Sequence, residues 1–499
     1  MSSLGVALLG VYDASLFVLC LFGLRRLWIL IQYHRLRREE PRPPDPAVWP
    51  FVTVQLPVFN EVHVVERLLA AVARLDYPRD RFEIQVLDDS TDETTALVAR
   101  RVAALREAGL AAHHLHRPNR AGYKAGALAA GMRAARGELT AIFDADFVPQ
   151  PDFLRRTVPY FADPRLAFVQ GGWEHLNRDA SLLTRVQAIL LDAHFRFEHT
   201  VRSRSGYMVN FTGTGGVWRV RAIVEAGGWQ HDTLIEDADL AYRAALAGFR
   251  GLHLPDLLVP CELPEDPSAW RSQQARWAKG GAQVLRKLML RVLRSGAPLG
   301  AKIECFLHLG ASQLHLLNLT LALLMIPSLW LRDGARSPAL LVADALVFAL
   351  NMLSVGAYFA LSQRERPRPR RWLRELRILP SLMALGMGSS LSQSKAVIEG
   401  LLGGEAVFER TPKSGLGRLR RPTDGYAVKA SPLIPCEALL ASLYGAALVA
   451  AALERRWAAL PFLALFFHGF AHVAVLSTWE VLRRRVARAP AIPSIEPAP

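Results

Sequence analysis

The sequence predicts an α/β domain with a doubly wound parallel sheet, joined to a set of α-helices that cross a membrane. Three observations lead there. Four strand-then-helix patterns follow one another between residues 51 and 143, which is the signature of parallel βα units. The strand ends carry acids in place of a G-x-G-x-x-G turn, which argues against a dinucleotide-binding reading. Apolar residues concentrate in long blocks near the two ends of the 499-residue chain, so two environments are expected.

The elements follow in order. Residues 5–24 are apolar enough to span about 30 Å of hydrocarbon. The block has no charged leader and no small-residue cleavage site, and Arg25, Arg26, Arg35, Arg37 and Arg38 follow it. It therefore reads as a retained anchor with its amino end outside. A Pro-rich linker at 41–50 leads into buried-strand patterns at 51–56, 83–87, 110–116 and 139–143, with helical periods between them. Residues 283–300 interleave Leu285, Leu288, Met289, Val292 and Leu293 with Arg286, Lys287, Arg291 and Arg294, the pattern of a basic amphipathic helix at a membrane surface or of a solvent-facing helix. Further spans are expected at 306–331, 339–362, 433–453 and 457–480. The division is 1–44 anchor and basic juxtamembrane segment, 45–282 α/β domain, 283–305 interfacial helix, and 306–499 membrane and interfacial helices.

The net charge of +15 comes from basic runs beside the apolar blocks, at 364–377, 413–421 and 483–488. That distribution follows the positive-inside rule and points away from nucleic acid. Placing every run in the cytosol needs five crossings plus a segment near 378–403 that lies along the interface or re-enters, and it leaves 332–337 outside. The α/β domain then faces the cytosol. Cys20, Cys261, Cys305 and Cys436 lack paired spacing, so neither a zinc site nor a disulfide framework is expected. Asp13 and Asp344, acids inside membrane blocks, match no motif.

In a doubly wound sheet the ligand site lies at the carboxyl ends of the strands. Asp88 and Asp89 follow the second strand, and Asp144 and Asp146 follow the fourth as a D-x-D turn. Two carboxylates so placed suit a hard cation such as Mg2+ or Mn2+ bridging protein and diphosphate oxygens, although acid pairs on turns also serve as caps. Glu236, Asp237 and Asp239 open a helical stretch: they read as helix-terminal acids, or Asp237 as a general base for an acceptor hydroxyl. In the run from Gln273 to Trp277, Arg276 offers a guanidinium to phosphate and Trp277 a flat apolar face to a sugar ring, or the two anchor an interface.

Taken together, the stretches QLPVFNE (55–61), LDDSTDET (87–94), NRAGYKAGAL (119–128), FDADF (143–147), NFTGTGGVWR (210–219), GGWQHDTLIEDADLAYRA (227–244), QQARWAKG (273–280) and FERTPK (408–413) resemble inverting glycosyltransferase family 2 enzymes of the cellulose-synthase superfamily. They look closest to cellulose-synthase-like A and C proteins, the glucomannan 4-β-mannosyltransferase type. The resemblance covers roughly residues 45–415. It implies a GT-A fold with a Rossmann-like mixed sheet, a nucleotide-sugar donor (UDP-glucose or GDP-mannose), Mg2+ or Mn2+, and processive transfer of hexosyl units to a growing β-linked glycan from the plasma (inner) membrane. The alternative is a single transfer to a lipid acceptor, as in ceramide or diacylglycerol glucosyltransferases; FERTPK and the carboxy-terminal spans favour polymerisation.

By that resemblance Pro57, Glu61, Asp89 and Lys124 line the nucleotide pocket, with Arg276 near the diphosphate. Asp144 and Asp146 hold the metal diphosphate, Asp237 is the catalytic base, and Gln273, Trp277, Gly213, Thr214 and Gly215 lie beside the acceptor. Leu234 and Ile235 stand where many relatives have a threonine. No cyclic-di-nucleotide-binding extension follows the final span, so regulation by that messenger is not expected. Donor base, linkage and any accessory export protein are left open.

Overall fold

In the computed structural model, residues 2–38, 40–333, 338–366, 372–404, 408, 410, 411, 413, 415 and 431–488 are described. A seven-stranded mixed sheet is made of β1 (Val52–Val58), β2 (Phe82–Asp88), β3 (Ala112–His116), β4 (Leu139–Ile142), β5 (Leu166–His175), β6 (Gly216–Arg219) and β7 (Arg250–Cys261), in the order β3-β2-β1-β4-β6-β5-β7. The first four are parallel, as the repeated strand-then-helix pattern predicts. β6 runs antiparallel to both β4 and β5, and β5 pairs in parallel with β7. The sheet is therefore mixed beyond β4, and its second half is the part that the alternating pattern did not reveal.

Strands β1 and β2 are buried on both faces, which explains why they read as continuous apolar runs. Their polar members find partners inside: Thr53 donates to Glu83, and Arg136 donates to the same carboxylate from its backbone and its guanidinium. One core joins Val54, Leu56 and Val86 to Leu68, Val98 and Val102 of two flanking helices. On the other face Leu87 and Ile142 pack with Leu128 and Leu240. The helix Tyr123–Ala134 comes close to the sheet because Gly131 lacks a Cβ, which would meet the Gln55 and Leu87 side chains at 2.6 and 2.7 Å.

Five helices among the described residues are long and apolar enough to cross a membrane: Ser3–Leu36, Leu299–Arg332, Leu346–Arg364, Ile434–Leu453 and Trp457–Leu482. They coincide with the five spans read from the sequence. Tyr12 and Leu16 pack with Leu321, Met325, Tyr444 and Phe470 in one apolar core. A second core ties this bundle to the sheet domain, through Ile29 and Tyr33 against Ile189, Phe197, Trp270 and Tyr358. Ion pairs cross the same junction, Arg25 to Glu198 at 3.5 Å and Arg271 to Glu437 at 2.5 Å, while Arg25 also joins two membrane helices through Glu304 at 2.5 Å. Asp13 pairs with Arg332. The side chain of Asp344, residues 334–337 and most of the basic runs lie outside the described residues. All four cysteines are free thiols.

The stretch expected to start an interfacial helix at 283 belongs instead to one continuous helix, Pro267–Arg294. Its apolar stripe is covered by protein, with Val284, Leu288, Met289 and Val292 packed on Tyr242, Cys305 and Leu309, while Leu293 is exposed. The segment near 378–403 forms two short helices, Leu379–Gly388 and Ser390–Leu402. Gly400 seats the second of these against Lys279 of the Pro267–Arg294 helix.

Candidate active site

Strands β1, β2 and β4 all end at one side of the sheet, where the backbone leaves its ladder and offers side chains to a cleft. The cleft holds about 1260 Å3 of empty space, open to solvent. Pro57, Glu61, Asp89, Lys124, Asp144, Asp146, Gly213, Asp237, Gln273, Arg276 and Trp277 all line it. Residues that sequence reasoning drew from seven separate stretches are thus brought to one place. Thr214 and Gly215 are the two exceptions. Thr214 is fully buried beneath the D-x-D turn, where its hydroxyl accepts the Asp144 backbone N–H at 2.8 Å. Gly215, at φ 68°, bends the chain into β6.

Asp144 accepts from Lys124 Nζ at 2.5 Å, and the same ammonium donates to the Gly213 carbonyl at 2.9 Å. Burial opposes the charge on Lys124, but Asp144 and then Glu236 hold its pKa above the ordinary lysine value. Asp146 faces Lys413 Nζ at 2.8 Å and accepts from the Glu262 N–H at 3.3 Å. Asp89 is gripped by Arg117 through two bonds of 2.7 and 2.5 Å. Asp88 points away from the cleft, fully buried, toward His114 and His116.

Across the cleft, the helix Glu236–Leu246 begins with Glu236 and Asp237. Asp237 Oδ1 accepts the Ala238 N–H at 2.8 Å, so the helix end partly supports the carboxylate. Burial nevertheless dominates, and with the neighbouring Glu236 carboxylate it pushes Asp237 up to about 7. Glu236 is raised as well, chiefly by burial. Gly213, at φ 78°, is what lets backbone pass between Asp237 and Lys124: a Cβ there would lie 3.1 Å from Asp237 Oδ2 and 3.3 Å from Lys124 Nζ.

Gln273, Arg276 and Trp277 share one face of the Pro267–Arg294 helix, as their i, i+3 and i+4 spacing requires. The Arg276 guanidinium lies 4.3 Å from the centre of the Phe408 ring. Two residues before Gln273, Arg271 anchors this helix to the membrane bundle through Glu437 and Ser477.

Several lining residues escaped sequence reasoning as site members. Arg410 holds Glu61 by two bonds of 3.0 Å, and Lys413 reaches Asp146 and the Glu262 carbonyl, so the described members of FERTPK, with Phe408 and Thr411, line the cleft itself. Glu262 is buried at the carboxyl end of β7, bonded to Arg67 at 2.6 Å and to the Gly415 N–H at 3.0 Å. An acid at a strand end was the available signal, but β7 was not recognised as a strand. Glu236 was noted only as part of an acidic cluster.

Residues 50–280 match the model of the glycosyltransferase-like family 2. Two plant proteins are similar over this part. The chain is 46% identical over 254 residues to glucomannan 4-beta-mannosyltransferase 7 of Arabidopsis thaliana, covering 50% of this chain and 46% of that one. It is 43% identical over 272 residues to glucomannan 4-beta-mannosyltransferase 1 of Oryza sativa subsp. japonica, covering 52% of each. The chain thus spans about half the length of the curated relatives it matches. The mannosyltransferase PcManGT of Pyrobaculum calidifontis, solved with GDP-Man and Mn2+, superposes with a TM-score of 0.51 at 24% identity, over 80% of this chain and 97% of that one, a likeness of fold. With the mixed seven-stranded sheet and its acid-lined strand ends, residues 50–280 form a domain of GT-A fold that is similar to glycosyltransferase-like family 2.

Proposed function

We propose that the protein is a membrane-bound inverting hexosyltransferase that adds mannosyl units from a nucleotide-linked donor to a growing β-linked glycan. The observation that carries this reading is Asp237, a half-buried carboxyl pushed up to about 7, facing the D-x-D carboxylates across a cleft that also holds Arg276 and Trp277. The choice of mannose rests on the names of the plant relatives.

In this mechanism Asp237 takes the proton of the acceptor hydroxyl while the hydroxyl oxygen attacks the anomeric carbon. The bond from that carbon to the diphosphate breaks on the opposite face, so the configuration inverts and a nucleoside diphosphate leaves. Lys124 and Arg276 balance the charge of the diphosphate, and Trp277 supports the terminal sugar of the acceptor. Asp144 and Asp146 would hold a hard divalent ion: they are carboxylate oxygen donors beside the cleft, and each already lies against a cation. When bound, Mg2+ or Mn2+ would neutralise charge developing on the leaving group. The domain works on the cytosolic side of the plasma membrane, and the helices conduct the product outward; the basic runs and the anchoring of the Gln273–Arg276–Trp277 helix to the bundle through Arg271 support this arrangement.

The deciding experiment incubates the purified full chain in lipid nanodiscs with radiolabelled GDP-mannose or UDP-glucose and Mg2+ or Mn2+, then sizes the product. The expected product is a polymer labelled from GDP-mannose and degraded by endo-β-mannanase. Label confined to a lipid extract would replace polymerisation by single transfer, and no transfer from either donor would defeat the proposal.

A further inference from the structure

Asp88 is left unused by the transfer mechanism, although it adjoins Asp89 of the cleft wall. It ends β2, directly across the ladder from His116 of β3, with His114 diagonal to it opposite Val86. Because side chains two apart on a strand share a face, His114 and His116 both present imidazoles to that carboxylate. His114 Nε2 lies 2.9 Å and His116 Nδ1 3.3 Å from the same oxygen, Asp88 Oδ2. The other oxygen, Oδ1, accepts the Ser90 N–H at 2.9 Å, which fixes the carboxylate's orientation. Among the described residues this is the group in which three metal-binding side chains converge, with all ligand atoms within 4.8 Å of one another.

We propose that Asp88, His114 and His116 form a second metal site, for Zn2+ or another late first-row divalent ion, separate from the D-x-D carboxylates. The two imidazoles are borderline nitrogen donors, which such ions accept and Mg2+ does not favour, and the carboxylate completes a mixed set common for Zn2+. Metal–ligand bonds of about 2.0–2.2 Å in a tetrahedron place neighbouring donors about 3.3 Å apart, close to the spacing already present. β3 is the edge of the sheet, and exposure rises across the group, with Asp88 0%, His114 17% and His116 41% of the side chain open. One flank is thereby available for an ion to enter and for water to fill the fourth position. The site would also brace the donor pocket. Arg117 follows His116, donates its backbone N–H to the Asp88 carbonyl at 2.9 Å and grips Asp89 with its guanidinium, so the ends of β2 and β3 share one set of constraints.

The test uses full-length protein without a polyhistidine tag, in detergent with saturating Mg2+ to occupy the oxygen-donor site, titrated with Co2+ and followed by its visible d–d absorption. One Co2+ per chain, displaced by Zn2+, is expected. His114→Gln and His116→Gln should each weaken it at least tenfold, whereas Asp146→Asn should retain it. His116, the more exposed ligand, is the variant least able to disturb folding, and an unchanged circular dichroism spectrum confirms that it has not. Absence of a Co2+ band, or a band that survives in both histidine variants and so belongs elsewhere, for example to His468 and His472, would overturn the proposal.

Discussion

Asp144 and Asp146, on the strand side of the cleft, each face an ammonium group, Lys124 at 2.5 Å and Lys413 at 2.8 Å. Glu236 and Asp237, on the helix side, instead stand next to each other in a helix's first turn, where burial and a neighbouring carboxylate outweigh the pull of Lys124 on both and of Arg276 on Glu236. One wall sets each carboxyl against a cation and the other favours keeping a proton, although both are made of carboxyl groups. Environment separates like residues: burial with a like charge beside it raises an acid toward neutrality, whereas the D-x-D acids lie within bonding distance of ammonium groups.

The largest effect should come from the cation-holding wall. Chelation with EDTA is expected to remove transfer to below detection, with Mg2+ or Mn2+ restoring it, and Asp146→Ala should weaken donor and metal binding together. Full activity in chelator would erase the contrast between the walls. Next comes the proton-holding wall, where Asp237→Asn keeps the shape but removes basicity. Turnover should fall by roughly a hundred-fold to ten-thousand-fold, the range of general-base catalysis, while calorimetry shows nucleoside diphosphate binding intact. Wild-type turnover in this variant would make Asp237 a helix-end acid and nothing more.

The pH profile gives a smaller and graded effect. A base with a pKa of about 7 is active only when deprotonated, so kcat/KM should drop about tenfold for each pH unit below that value and level off above it. A profile flat from pH 5 to 8 would remove Asp237 from the role. The smallest effect is on stability, and its sign differs between the walls. Asp237 holds its proton up to about 7 when folded but only to near 3.8 when unfolded, so the unfolded state sheds it first. The native state therefore loses stability as pH rises from about 4 through 7. Asp237→Asn should melt a few degrees above wild type at pH 8, with the gap closing toward pH 5. Asp146→Asn should melt below wild type at pH 8, because it leaves the buried Lys413 ammonium without its carboxylate. Equal shifts in both variants would show that the two walls do not differ.

Much of the scaffold was legible before any coordinates. β1, β2 and β4 have the apolar runs of strands buried on both faces, and the spans have lengths that a bilayer demands. β5, β6 and β7 were not legible: β6 is only four residues long, and β5 and β7 carry Gly171, Gly172, Pro255 and Pro260, which break the alternation. The amphipathic stripe after residue 283 was real, but periodicity reports that a face is apolar, not whether lipid or protein covers it.

By itself the sequence determined the βα order, the membrane spans, the D-x-D turn and the common face of Gln273, Arg276 and Trp277, because each depends on spacing within one segment. Only the tertiary structure decided that Asp237 lies beside Lys124 and under Gly213, where partial burial and the Glu236 carboxylate raise its pKa. Only it brought Lys413 and Arg410 to acids far back along the chain, and turned Asp88 away from the cleft toward two histidines. Those outcomes depend on desolvation and on which charges meet across the fold, and both are properties of the packed chain that no local pattern carries.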